Sequence, residues 1–467
     1  MRILNSVIQA TLIIIVGLGL IAMNTQQESI FRGSRSNSEA LGIDAKKIID
    51  QKIDYDQEID SPEYSTCGKI YSNGSLNSRQ PVTRIDAGRL IAESKRDISQ
   101  LEPDLLLVKG DAVFIRGRIN WSLQRENGNQ LATGIRGKGE PCLDSEKQLL
   151  INFSHNGLMQ GFDLNNGNEK FFATLFMAND FYRSYVNRIR DQIIVGGYEL
   201  PLSGGSESPH VPEIAAVETW KLPKLSTDRT PQEIPEFYID PIVLGTPEVL
   251  IASYSDTIVV TENQRILFAT QSLSVYSAIH INCEPVAMSV DGAGWVHLVC
   301  KVNNSLELWV LNQQGQRKLK IALPKVEEVD SIQPPIIGYD HTVYLIFDDK
   351  LMRVSIDGNS EIVPIPDFVG AITTVDNMLL IATKTELKSL LKNRGMESLM
   401  SFKGEEIISA PQFSDDGRLW LATDKNIYIY ANAWKMVVSK PKDDSVDSLE
   451  NLEPLPTFPE LPDLPDD

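Results

Sequence analysis

The sequence predicts an all-β fold, a β-propeller of seven or eight four-stranded blades carried behind one N-terminal transmembrane helix. Three observations lead there: alternating apolar β-formers, turns built on Asp, Asn or Gly between them, and the return of this phrase every ~40 to 50 residues. The clearest copy runs Ile407-Ile408-Ser409-Ala410-Pro411-Gln412-Phe413-Ser414, then Asp415-Asp416-Gly417, then Arg418-Leu419-Trp420-Leu421-Ala422-Thr423, then Asp424-Lys425-Asn426 and Ile427-Tyr428-Ile429-Tyr430. A hairpin phrase cannot cover both of its own faces. Its copies must therefore stack around a ring to make a continuous core.

Eight copies are traced, with leading strands beginning near Leu105, Gln148, Val186, Glu248, Pro285, Pro335, Ala371 and Ile408. The first and third are degenerate, which leaves seven blades as the alternative count. Their turns fall at Lys109-Gly110-Asp111, His155-Asn156-Gly157, Arg190-Asp191, Asp291-Gly292-Ala293-Gly294, Tyr339-Asp340-His341 and Asp376-Asn377. Each supplies a glycine or a short polar side chain that tolerates tight-turn geometry, between residues that favour pleated strands. The propeller is assigned to residues 64–440, and Pro81-Val82-Thr83-Arg84-Ile85 is a candidate to complete a blade.

Two stretches carry a family resemblance. In Asn156–Phe171 the residues Gly161, Asp163, Gly167 and Phe171 fall where the repeat of pyrroloquinoline-quinone-like (quinoprotein dehydrogenase-like) propellers has a small residue, an Asp, a turn Gly and a terminal aromatic. Phe171 stands where that repeat usually has Trp. The stretch Asp415–Tyr430 is similar to the repeats of periplasmic two-component sensor propellers, in which an Asp-Gly turn precedes a Leu-Trp strand. The first resemblance implies a central funnel that in the enzymes of the family holds a quinone and calcium beneath a ring of adjacent cysteines. No two cysteines are adjacent here, so the non-catalytic scaffold members are the closer analogy and no cofactor or metal is expected.

The ends of the chain are of a different kind. Residues 1–25 hold the nearly uninterrupted apolar run Ala10–Met23 behind a short head bearing Arg2. Its inner core has the length of a signal-peptide h-region, and the wider run from Ile3 just reaches the ~20 residues that cross a bilayer. Small residues are missing at the positions that define a cleavage site, since Leu20 lies two places before Ala22. The expectation is a retained single-pass signal-anchor, with secretion after cleavage as the alternative. Both put the body outside the cytoplasm, in a periplasmic or extracellular space. Residues 26–63 form a stalk in which Ile48, Ile49, Ile53 and Ile59 among charges suggest a short amphipathic helix.

Residues 441–467 form a tail that from Asp443 onward contains nine acidic residues and no basic one, with prolines at 454, 456, 459, 462 and 465. Such a composition cannot offset chain entropy by burial, so disorder or extended polyproline structure is expected. Leu455, Phe458, Leu461 and Leu464 recur every three residues along one face of a polyproline helix, which makes a docking motif. A merely solvated tail is the competing reading. The formal net charge of -19 argues against nucleic acid and anionic lipid headgroups as partners.

Four cysteines are present, none at metal-ligand or Cys-x-x-Cys spacing. Cys283 and Cys300 flank the Asp291 turn almost symmetrically, so a hairpin brings them near one another and makes a bridge the expectation. That leaves Cys67 and Cys142 as a second pair. Four buried reduced thiols are the alternative.

Motifs that carry catalysis are missing: Gly204-Gly205-Ser206-Glu207-Ser208 lacks the last glycine of a nucleophile elbow, and the five histidines are far apart. No catalytic residue is assigned. The third copy concentrates extra length, in Gly196–Pro212 between its middle strands and in Leu222–Pro247 before the fourth copy. Both emerge on one face of a propeller, and long excursions from a rigid scaffold are where binding tends to lie. Tyr198, Glu199, His210, Trp220, Phe237 and Tyr238 are the candidate partner-binding residues, aromatic residues being common interface anchors. The function expected is a membrane-tethered binding or assembly scaffold of the cell envelope, for a protein partner. The alternatives are a funnel-site enzyme and the ligand-sensing propeller of a signalling system.

Overall fold

The computed structural model describes the chain between residues 65 and 436, apart from short stretches of which 68–78, 175–180, 200–214, 223–230 and 234–241 are the longest. The expected N-terminal helix, the stalk and the acidic tail lie outside the described residues. Among the described residues no helix is long and apolar enough to cross a membrane.

Eight four-stranded antiparallel blades follow one another along the chain. Blade 1 is built from Pro103–Lys109, Ala112–Gly117, Asn120–Arg125 and Gln130–Ile135, and blade 2 from Cys142–Asp144, Leu149–Phe153, Leu158–Asp163 and Glu169–Thr174. Blade 3 comprises Phe181–Ile189, Gln192–Glu199, Ala215–Lys221 and Ile242–Leu244; blade 4 comprises Ile251–Tyr254, Thr257–Glu262, Arg265–Thr270 and Val275–His280. Blade 5 (Glu284–Val290, Val296–Val302, Ser305–Leu311, Arg317–Ala322) and blade 6 (Ile336–Ile337, Val343–Phe347, Lys350–Val354, Ser360–Pro364) are regular meanders. Blade 7 is Phe368–Thr374, Leu379–Thr383, Glu386–Leu390 and Met396–Ser401. Blade 8 takes three strands from the C-terminal side, Gln412–Phe413, Leu419–Ala422 and Asn426–Tyr430, and its outer strand, Ser94–Asp97, from the N-terminal side.

The inner strands are largely buried on both faces, whereas the outer strands are partly exposed, and each gap between neighbouring blades is filled by its own apolar cluster. Leu105, Leu107 and Trp121 of blade 1 meet Leu143 and Leu150 of blade 2, and so on around the chain. The last gap closes the ring: Trp420, Ile427 and Ile429 of blade 8 pack on Leu106, Val108 and Ile115 of blade 1. Among the described residues the eight seams leave no open end, which makes eight blades. Gly370 allows a close approach, since a Cβ there would lie 2.6 Å from Ala410 Cβ across the seam between blades 7 and 8.

Three details differ from the sequence reading. Blade 2 starts at Cys142, not at Gln148, because its first strand is only three residues long and carries no alternating signal. Ring closure falls to Ser94–Asp97, whereas Val82–Arg84 pairs with Trp434–Met436 in a separate two-stranded ribbon. The third-copy connection holds the outer strand Ile242–Leu244 and also Gln232–Glu233, which joins the outer edge of blade 2 beside Phe171 and Phe172.

Candidate functional site

The blades give the ring two unlike faces. Turns between first and second strands and between third and fourth strands emerge on one, here the turn face. Second-to-third loops and blade-to-blade connections emerge on the other, the loop face.

Between the faces runs the channel, and the chain lines it with its own N-terminal strands. Ser65–Cys67 pairs antiparallel with Cys142–Asp144, the innermost strand of blade 2, with Ser65 opposite Asp144 and Cys67 opposite Cys142. It also lies against the innermost strands of blades 1 and 3. Arg79–Gln80 then pairs in parallel with Thr373–Thr374, on the innermost strand of blade 7. The register fixes the path: the chain comes in at the turn face, descends along blade 2, and is back at the turn face by blade 7. There the Thr83 hydroxyl donates to Asp376 at 2.9 Å, and the Val375 N–H donates to the Val82 carbonyl at 3.1 Å. Hydrogen bonds at ~1 kcal/mol net each about balance the ~1 to 2 kcal/mol per residue that ordering costs, so a three-residue strand does not hold itself in place. Cys142 is disulfide-bonded, and the residue opposite it is Cys67. Cys283 and Cys300 instead stand as buried free thiols. Cys300 lies opposite Pro285, so Cys283 meets it on the diagonal and not face to face; a hydrogen bond with Cys283 and burial both raise the Cys300 thiol.

Side chains on the turn face tie blade to blade. Asp291, fully buried, accepts the N–H groups of Ala293 at 3.0 Å and Trp295 at 2.9 Å on one oxygen. Its other oxygen meets His297 Nε2 at 3.1 Å and, across the seam, His341 Nδ1 at 3.3 Å. His341 adopts the left-handed region, φ 60°, within its turn. With His297 also fully buried and His341 5% exposed, no solute reaches this trio, and its chemistry is that of a seam. The Asp340 N–H donates to Asn377 at 2.9 Å across the next seam. Between blades 8 and 1, Arg418 pairs with Glu126, and Lys109 lies 3.2 Å from Asp415.

The loop face is more open. Ile119 is 69% exposed and Ile135 60%, and the Arg136 N–H donates to the Ile119 carbonyl, so the two side-chain sites adjoin at the foot of blade 1. Val329, 37% exposed, lies on the connection from blade 5 to blade 6. The second strand of blade 3 ends at this face at Glu199, and the third begins there at Ala215. One cluster here is structural: Glu405, between blades 7 and 8, accepts from Thr423 at 2.7 Å, Tyr428 at 2.9 Å and Lys95 of the closing strand at 3.2 Å. Burial raises the Glu405 carboxyl, but these hydrogen bonds outweigh it and hold it at about 2.

The candidate residues from the sequence divide. Tyr198 and Glu199 end the second strand of blade 3 at the loop face. Trp220 is overturned as an interface anchor: it is 6% exposed and packs with Phe153, Met159 and Phe171 in the seam between blades 2 and 3. His210, Phe237 and Tyr238, like the tail residues Leu455, Phe458, Leu461 and Leu464, lie outside the described residues. The repeat motif serves packing. Gly161 makes room for the Phe171 ring opposite it, and Asp163 accepts the Asn165 N–H at 2.8 Å inside the turn that Gly167 completes at φ 75°. The Asp291–His297–His341 trio was not visible in the sequence, because His297 and His341 sit on different blades; the Asp291 turn was its one signal.

No known family profile matches the chain, and no curated protein matches it. Among solved structures it is similar to the Dos1 propeller, with a TM-score of 0.50 and 10% identity, covering 73% of this chain and 94% of that one. It is also similar to BamB from Moraxella catarrhalis (TM-score 0.46, 10% identity, 73% and 99% covered) and to streptogramin B lyase (0.34, 12%, 72% and 97%). At such identities the first likeness establishes the propeller fold and nothing further.

Proposed function

We propose that this chain is a membrane-tethered propeller working outside the cytoplasm as a binding and assembly scaffold, with the loop face as its working surface. The observation that carries the reading is the course of the N-terminal strands. They occupy channel wall that a funnel-site enzyme would use for substrate, and they leave the first and last described strands, Ser65–Cys67 and Trp434–Met436, reaching the turn face. A tether preceding Ser65 and a tail following Met436 then share that side. The loop face, with Ile119, Ile135, Val329 and the blade 3 excursion, is turned away from the tether toward a protein partner. The repeat is in keeping with the non-enzymatic quinoprotein-like propellers, in that Gly161 and Phe171 form a packing pair. The acidic tail with Leu455, Phe458, Leu461 and Leu464 is a second docking element.

Crosslinking and pull-down from intact membranes test this. Deleting Leu202 to Ser208 should leave the melting temperature unchanged and deplete the recovered partners. An undiminished partner set would move the binding surface to the tail, for which truncation after Lys442 is the control.

A further inference from the structure

We propose that the disulfide at Cys142 joins it to Cys67 and acts as a redox latch: oxidised, it holds the Ser65–Cys67 strand in the channel; reduced, it releases that strand while the ring stays closed. The inference does not depend on the scaffold reading. It stands on four observations. Cys142 is bonded, while Cys283 and Cys300 are free thiols, and the chain has four cysteines in all. Cys67 occupies the position opposite Cys142 in an antiparallel register. The strand that carries Cys67 has three residues, too few for its hydrogen bonds to exceed the entropy of ordering it. Ring closure lies elsewhere, in Ser94–Asp97 on blade 8 and in the apolar seam between blades 8 and 1, so loss of the inner strand removes no blade.

Release would uncover the free edge of Cys142–Asp144 and the wall shared by blades 1 to 3, turning a filled part of the channel into an accessible one. The chemistry balances with a small dithiol as reductant. One reductant thiolate attacks the Cys67 sulfur, Cys142 being fully buried, to form a mixed disulfide at Cys67 and expel Cys142 as its thiolate. The reductant's second thiol then closes its own disulfide ring and expels Cys67, leaving both cysteines as thiols, the two electrons and two protons having come from the reductant. Because Cys283 and Cys300 already stand as thiols, the reductant has one bond to act on.

The test is hydrogen–deuterium exchange on the full chain with and without dithiothreitol, after non-reducing peptide mapping of the bond. Mapping should return the Cys67 and Cys142 peptides linked. Reduction should then speed exchange at residues 65–67 and 142–144 at least tenfold, while Thr257–Thr270 and Val343–Val354 are unchanged. Cys142→Ala should show the fast rates without reductant and no response to it, and Cys67→Ser reports on the same bond should Cys142→Ala fail to fold. Linkage of Cys142 to Cys283 or Cys300 would overturn the proposal. So would unchanged exchange on reduction, or a rise spread over all blades.

Discussion

The turn face and the loop face are made by the same repeating unit, yet they spend their polar residues differently. On the turn face Asp291, Asp340, Asn377 and Asp416 are each engaged in a turn or across a seam, and the contacts hold blade to blade. On the loop face the connections are longer and large apolar side chains stand exposed, and the polar clusters around Glu405, Asp348 and Arg116 fasten the closing strand and the blade-to-blade connections. The turn face thus joins one blade's turn to the next, while the loop face anchors the connections and keeps exposed apolar side chains beside them.

That contrast is broken most severely at Asp291. Asp291→Ala removes a buried carboxylate from two imidazoles and two backbone N–H groups, and should cost ~3 to 5 kcal/mol in chemical denaturation. A loss under 1 kcal/mol would mean the turn face does not hold the seam. Trp420→Ala, in the apolar seam between blades 8 and 1, should cost a similar ~3 to 5 kcal/mol and serves as the measure of packing without charge.

Glu405 gives the next effect. Its folded value of about 2 lies below the ordinary 4.5, so its contribution is complete above pH ~4.5 and fades as the pH falls toward 2. Glu405→Gln should lower stability at pH 7 by ~1 to 2 kcal/mol and flatten its decline between pH 5 and 3. Equal acid slopes in the two proteins would remove Glu405 from the closure. Smallest is Arg418→Ala, expected to cost no more than ~1 kcal/mol and less still in high salt, because this pair is only partly buried. A cost matching that of Asp291→Ala would erase the distinction between the two seams.

Much of this was legible because a propeller repeats its signal: Asp415-Asp416-Gly417 before Leu419-Trp420 is one instance of a pattern that returns eight times. Legibility failed where strands are short, polar or paired at long range. Ser94–Asp97 closes the ring with the sequence Ser-Lys-Arg-Asp, whose mostly exposed side chains leave no apolar alternation to read. The channel strands Ser65–Cys67 and Arg79–Gln80 are fixed by partners ~75 and ~290 residues away, for which local propensity has no signal. Trp220 misled in the opposite sense. Lying beside a long connection it reads as an exposed anchor, but its strand is covered by blade 2.

The most direct test of which face works is site-specific photocrosslinking in intact membranes, with a photoreactive side chain placed at Ile119 or Val329 on the loop face, or at Asp357 or Asn359 on the turn face. All four positions are exposed, so reach is equal. The account predicts a discrete crosslinked partner from Ile119 and Val329, and none from Asp357 and Asn359. Crosslinks from the turn-face positions alone would contradict it.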